Sequence, residues 1–324
     1  MHSITELQAI VKRTFEEETF SFEPTGLYDP ISYTLGAGGK RIRPLMVLLG
    51  CDLFNGELSQ ARPALLATEL FHNFTLLHDD IMDQAPLRRG RETVFKKWNT
   101  SIAILSGDTM FAMACEHLST LPQEVLPEAL ALFTQTARRV CEGQQYDVDF
   151  ETRQNVSIRE YLEMIRMKTA VLLGCSLKLG ALIARAPAAE AEKARSFGEN
   201  IGMAFQLQDD LLDIFGNEKK FGKETGGDII AGKKTFLLLK AYELASPEEK
   251  AELDSCFSHA SIPANEKIAR VRRVYDALNI RQITQSEIGI HYSRALELCT
   301  SIRADETGKN LLKTFADEML KRDF

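Results

Sequence analysis

Apolar residues return every three or four positions through most of the chain, as in Leu66, Leu70, Phe74, Leu77 and Ile81, and that spacing lines one face of an α-helix. Helix start signals are frequent. Ser246-Pro247-Glu248-Glu249 offers an N-cap, a proline at the first helical position and a capping-box glutamate, and Asn99-Thr100 precedes the run IAILSGDTMFAMACEHL. Strand-like alternation between turn dipeptides is nearly absent, so the pattern predicts an all-α protein. Two glycine-containing stretches interrupt the helices, TLGAGGKRIRP at 34–44 and FGNEKKFGKETGGDIIAGKKT at 215–235. Neither is long or polar enough to separate independent units and no long repeat is visible, so a single domain over 1–324 is expected.

Composition narrows the function. The 324 residues are 44% apolar, ordinary for a packed core. A formal charge of -7 argues against broad attraction to nucleic acid or anionic lipid, although a local basic pocket fits inside an acidic total. The longest apolar run, AVLLGCSLKLGALIA, is broken by Lys178 and two glycines, so no membrane span is expected. The N-terminal MHSITELQAIVKRTFEEETF is acidic and lacks a cleavage-site pattern, which makes the cytoplasm the expected address. Cysteines at 51, 115, 141, 175, 256 and 299 form no CxxC, and no HExxH occurs, so neither disulfides nor zinc are indicated.

The chemistry is concentrated in LLHDDIMDQAPLRRG, residues 76–90. On a helix Asp79 and Asp83 share a face one turn apart, with Asp80 beside them. Three like charges repel, and a cation relieves them; carboxylates completed by water and phosphate oxygens are what magnesium prefers. Alone, the triplet reads equally as a solvated acidic helix end. A second copy changes the balance: FQLQDDLLD, residues 205–213, repeats the spacing with Asp209, Asp210 and Asp213, again behind apolar residues. Both interrupt apolar faces, so they are expected to point into a shared cavity.

Basic residues say what the trap holds. Arg88 and Arg89 follow the first triplet, Gly38-Gly39-Lys40-Arg41 sets small residues against two cations, and Lys223 and Lys233 lie in the loop after the second triplet. Metal ligands together with free-standing cations can take two diphosphates differently, one through metal and one through direct hydrogen bonds.

In order and approximate spacing GGKRIRP, LLHDDIMDQAPLRRG, GQQYD, KT and FQLQDDLLD, followed by FGK and GKKT, resemble the trans-isoprenyl diphosphate synthases over about residues 33–236. The resemblance implies the all-α isoprenoid synthase fold around a deep central cavity, in a homodimer. It also implies chain elongation, in which an allylic diphosphate (dimethylallyl, geranyl or farnesyl) ionises and isopentenyl diphosphate attacks. By resemblance Asp79, Asp80, Asp83, Asp209 and Asp213 organise three magnesium ions. Arg88, Lys168, Lys223 and Lys233 bind the allylic diphosphate; Lys40, Arg41, His72 and Arg89 hold isopentenyl diphosphate; Thr169 and Gln206 stand near the reacting carbons. Without the resemblance, His72 reads as a core histidine, Lys168 and Thr169 as an interrupted amphipathic face, and Gln144 and Asp147 as an interhelical hydrogen-bond pair. Arg43 is assigned to a helix N-terminal ion pair and stands outside the site.

The product must grow away from the metals along the helix that ends at Asp79. Phe74 lies five residues earlier, roughly 7.5 Å along the axis, and Phe71 about a turn deeper. An aromatic there acts as a floor, unless both rings merely pack between helices. A lone aromatic followed by a small residue such as Thr75 resembles enzymes that stop at twenty carbons, which favours geranylgeranyl diphosphate, with farnesyl diphosphate next. A terpene cyclase or head-to-head synthase would not need the second diphosphate site. A non-catalytic partner subunit would not need an intact second triplet, and a diiron bundle would carry ExxH pairs that are missing.

Overall fold

The computed structural model describes residues 2–216, 226–258 and 262–321. The order is α1 (Ile4–Glu17), α2 (Thr25–Leu35), α3 (Ile42–Leu53), a 3₁₀ turn (Leu58–Ala61), α4 (Arg62–Met82), β1 (Leu87–Arg88), β2 (Arg91–Glu92), α5 (Val94–Lys97), α6 (Thr100–Ser119) and α7 (Leu126–Thr152). It continues with α8 (Ile158–Ile165), a π-helical turn (Arg166–Ala170), α9 (Val171–Ile183), α10 (Ala188–Phe215), α11 (Gly227–Ala231) and α12 (Phe236–Leu244). The last helices are α13 (Pro247–Ser258), α14 (Ala264–Ala277), α15 (Ile280–Ser301) and α16 (Glu306–Leu320). The all-α expectation holds, with one addition, the short hairpin β1-β2.

The predicted caps form. Asn99 accepts from the N–H of Ile102 at 2.9 Å, and Ser246 and Glu249 close a reciprocal box at 2.8 and 3.2 Å. Each satisfies N–H groups that a helix start leaves without partners.

Two compact units partition the chain. The first takes Met1–Ala137, Cys175–Arg195 and Ile302–Leu312. Within it α4 packs on α3 and α6, burying Leu65, Leu66, Leu70 and Phe71 with Leu48 of α3 and Phe133 of α7. Backbones meet where Gly50 faces Leu177 and Gly180 faces Val47: an added Cβ would lie 2.1 and 2.0 Å from the respective carbonyl oxygens.

The second unit takes Arg138–Gly174, Ser196–Ser301 and Lys313–Phe324. Its core joins Tyr161 and Ile165 of α8, Leu207 and Leu211 of α10, Phe236 and Leu237 of α12, and Tyr275 of α14. Gly198 and Gly202, one turn apart on α10, lie against Gly174 and Ala170; a Cβ at either would fall within 2.9 and 2.7 Å of their Cα atoms. That approach sets how near α10 comes to the π-helical turn.

Candidate active site

The first acidic set closes α4. The N–H of Asp83 donates to the carbonyl of Asp79 at 2.8 Å, so these carboxylates sit one turn apart at the helix C-terminus. The dipole there is negative and opposes them, by about 0.3–1 kcal/mol for each exposed charge. A cation is supplied by the hairpin. Its turn residues Arg89 and Gly90 both take positive φ, 53° and 74°, as a tight two-residue hairpin requires. That fold brings Arg88 back onto α4, where Nε donates to Asp80 Oδ1 at 2.7 Å and Nη2 lies 3.7 Å from Asp79 Oδ2. Asp80 is buried, and burial pushes its carboxyl up to about 6 against the pull of Arg88. Asp79 is only partly exposed and Asp83 is exposed.

The basic set assembles beside it. Arg89 donates from Nη1 to the carbonyl of Gly38 and lies over Gly39, where an added Cβ would sit 2.8 Å from the guanidinium carbon. Gly39 also holds φ 128°, so the pair of glycines is needed both for the turn and for the close approach. Lys40 is exposed at this turn. Arg41, grouped with Lys40 on sequence, takes φ 46° and turns inward: it donates to buried Glu69 at 2.6 Å and covers the ring of Phe15 at 4.3 Å.

Arg43, assigned on sequence to a helix-end ion pair, makes none among the described residues. Its Nε is buried without a hydrogen-bond partner. Burial pushes its guanidinium down to about 10, which still leaves it charged. His72 lies in the same field. Burial first, then Arg43, Arg89, Arg88 and Arg41, hold its imidazole well below the usual range, so it is neutral at pH 7. Several cations around a neutral donor are a set that suits an anion.

The second unit carries a cavity of about 420 Å³ lined by Asp209, Asp213, Lys168, Thr169, Gln206 and Lys233, and by Asp147, Tyr161, Asp210 and Asp228. Lys168 and Thr169 project from the π-helical turn, an irregularity that re-aims side chains within a helix. Gly143 of the GQQYD stretch makes room for it, since a Cβ there would lie 2.4 Å from the Lys168 nitrogen. One helical turn on, Asp147 accepts from Lys168 Nζ at 2.6 Å. Thr169 Oγ1 donates to Gln206 Oε1 at 3.0 Å, Gln206 Nε2 donates to Asp210 Oδ1 at 3.0 Å, and the Tyr161 hydroxyl donates to Asp210 Oδ2. Burial and the charge of Asp228 push Asp210 up to about 8. Asp213 Oδ2 accepts from the N–H of Asp228 at 3.0 Å, in the first turn of α11. Lys223 lies outside the described residues.

The two rings expected to form a floor pack with further aromatic rings. Phe74 stacks on Phe111 of α6 at 5.5 Å and meets Phe71 at 5.5 Å, and Phe71 also meets Phe111 and Phe133 at 5.7 and 5.4 Å. Thr75 bonds its own helix through the carbonyl of His72 at 2.8 Å.

Sequence reading thus misses Arg43, Tyr161, Asp228 and Phe111, and holds Asp147 only as a bland pair. Glycines carried the available signal: Gly143 marks the approach to Lys168, and Gly226 and Gly227 mark the turn into Asp228. The acidic donors are all carboxylate oxygens. Carboxylate oxygens suit a hard divalent cation that completes its shell with water and phosphate; among the described residues no three side chains already close into a metal cage.

The polyprenyl synthetase family profile matches residues 24–278. A geranylgeranyl diphosphate synthase of Methanosarcina mazei is 36% identical over 93% of this chain and 91% of its own. A solved geranylgeranyl pyrophosphate synthase superposes with a TM-score of 0.95 at 40% identity, covering 100% of both chains. A polyprenyl synthase of Caulobacter crescentus, solved with calcium and isoprenyl diphosphate, reaches 0.87 at 28% identity over 98% of this chain and 95% of that one. The chain belongs to the polyprenyl synthetase family and is a trans-prenyltransferase with the all-α fold of the isoprenyl synthases.

Proposed function

We propose that this enzyme condenses isopentenyl diphosphate with short allylic diphosphates and stops at geranylgeranyl diphosphate. The observation that carries the reading is the single cavity in which Asp209 and Asp213 stand with the cations Lys168 and Lys233 and the neutral oxygens of Thr169 and Gln206. Such a set suits a diphosphate joined to a carbon that becomes positive. The two units are read as one domain, because the chain passes repeatedly from one to the other.

Asp79, Asp80 and Asp83, and likewise Asp209 and Asp213, would hold magnesium on the allylic diphosphate, three ions in all, with Asp80 also orienting Arg88. When bound, magnesium would supply positive charge to the diphosphate oxygens. Lys168, Lys233, Lys223 and Arg88 bind that leaving group, whose charge grows in the transition state, so their pull is stronger there than in the ground state. Thr169 and Gln206 turn oxygen dipoles toward the allylic cation without offering it a strong nucleophile.

Lys40, His72, Arg89 and Arg43 hold isopentenyl diphosphate, and Arg41 fixes the turn that carries them through Glu69. The terminal double bond attacks the cation, a new carbon-carbon bond forms, and the departed diphosphate takes the proton lost from the adjacent carbon. Phe74 and Phe71, with Thr75 above them, limit growth.

The protein works as a homodimer in the cytoplasm. Ile104 and Leu105 of α6 and Leu130 of α7 are exposed at 41%, 54% and 37%, apolar area that a second copy would cover. Among the described residues no helix is long and apolar enough to cross a membrane. The test is to incubate the purified protein with magnesium, isopentenyl diphosphate and dimethylallyl, geranyl or farnesyl diphosphate and to measure product chain lengths. A twenty-carbon product supports the reading, a fifteen-carbon or longer one corrects the length, and no condensation with any primer overturns it.

A further inference from the structure

The amide of Gln206 has two ends of similar shape and opposite polarity. With Oε1 toward the reacting carbons it stabilises a cation; with Nε2 there it opposes one. Something must decide between them. Thr169 does not, because a hydroxyl can donate to Oε1 or accept from Nε2 with nearly the same geometry.

The decision is made on the far side of the amide. Nε2 donates to Asp210 Oδ1 at 3.0 Å, and the ionised carboxylate offers acceptors only. The flipped amide would set two acceptors against each other. Asp210 must itself be held in place, since a rotated carboxyl would lose Gln206. Its second oxygen, Oδ2, accepts from the Tyr161 hydroxyl.

Tyr161 is a rigid anchor. It is 3% exposed and belongs to the second unit's core. Its N–H donates to the carbonyl of Ser157 at 3.0 Å, inside the first turn of a helix closed by the Ser157-Glu160 capping box. The hydroxyl lies three hydrogen bonds from Thr169.

We propose that Tyr161 is a positioning residue for the condensation, acting through Asp210 to keep the Gln206 carbonyl oxygen turned toward Thr169 and the allylic cation. This rests on the reaction proposed above, and a positioning role differs from a packing role in its dependence on Gln206.

The test uses the full chain with magnesium, geranyl or farnesyl diphosphate and isopentenyl diphosphate, in Tyr161→Phe, Gln206→Ala and the double variant. Tyr161→Phe keeps the ring. It is expected to lower kcat about tenfold, the size of one hydrogen bond's influence, with both KM values within about twofold of wild type. In the Gln206→Ala background the same change should cost less than about twofold, because the group it acts through is gone. Asp210→Ala removes the link itself and should show the same dependence, which keeps the test open if Tyr161→Phe folds poorly. Losses that multiply in the double variant overturn the inference. So does wild-type kcat in Tyr161→Phe while the wild-type enzyme condenses normally. A wild-type protein that condenses nothing overturns the proposed function as well.

Discussion

The ring of Phe74 lies on that of Phe111 at 5.5 Å with their planes 23° apart. A floor below Asp79 would therefore draw on rings of α4 and α6 together, with Phe133 of α7 behind Phe71. Phe74→Ala and Phe111→Ala are each expected to lengthen the product. Chain lengths measured after exhaustive elongation check this, and an unchanged length in both would leave the rings as packing alone.

Asp79→Ala removes a carboxylate from the last turn of α4, where the helix dipole opposes it, and Asp209→Ala removes one beside Asp210 and one turn from Asp213 on α10, where like charges oppose it. The protein should gain or keep thermal stability while kcat falls by about 10²–10³ or more, since the loss is confined to the charge-separated transition state. Chelation of magnesium should reproduce the kinetic loss in the wild type. Turnover within a few-fold of wild type in either variant would contradict their assignment to the leaving group.

Both acidic sets are legible in the sequence because the same spacing occurs twice, each time behind apolar residues, whereas either one alone reads equally as a solvated helix end. The helices are legible for the related reason that their caps are local, as at Asn99 and Ser246. Arg41 and Arg43 are not separable in this way. Which of two arginines turns inward depends on the left-handed φ of 46° at Arg41, a property of the turn as a whole that residue identity alone does not reveal. Tyr161 and Phe111 escape for another reason. Their partners Asp210 and Phe74 come from different helices, and only packing brings them together.

Gly143 tests whether the π-helical turn is held by close packing. An added methyl would lie 2.4 Å from the Lys168 nitrogen and 2.8 Å from the Met167 carbonyl carbon, both backbone atoms that cannot rotate away. Gly143→Ala is expected to destabilise by about 1–3 kcal/mol and to lower kcat by displacing Lys168 and Thr169. Gly26→Ala on α2 is the control, since a Cβ there meets nothing within 4 Å. It should leave activity alone and raise stability by about 0.5 kcal/mol through the loss of backbone freedom in the unfolded chain. Unfolding midpoints and kcat for the two variants separate the cases, and equal behaviour would remove the packing argument.

His72 makes a prediction about acid. Burial and the surrounding arginines hold its folded-state imidazole well below the free value of 6.5, so as pH falls the unfolded chain binds the proton first. Folding stability from this residue is complete above about pH 6.5 and is lost progressively below it, as the proton draws the equilibrium toward the unfolded state. His72→Gln has no such proton to take up. Its unfolding midpoint should therefore fall less than that of the wild type between about pH 7 and pH 5.5, while its KM for isopentenyl diphosphate rises if the imidazole donates to that diphosphate. Parallel midpoint curves for the two proteins across this range would show that His72 titrates alike in both states, and the ring of arginines around it would then not form the anion site assigned to it.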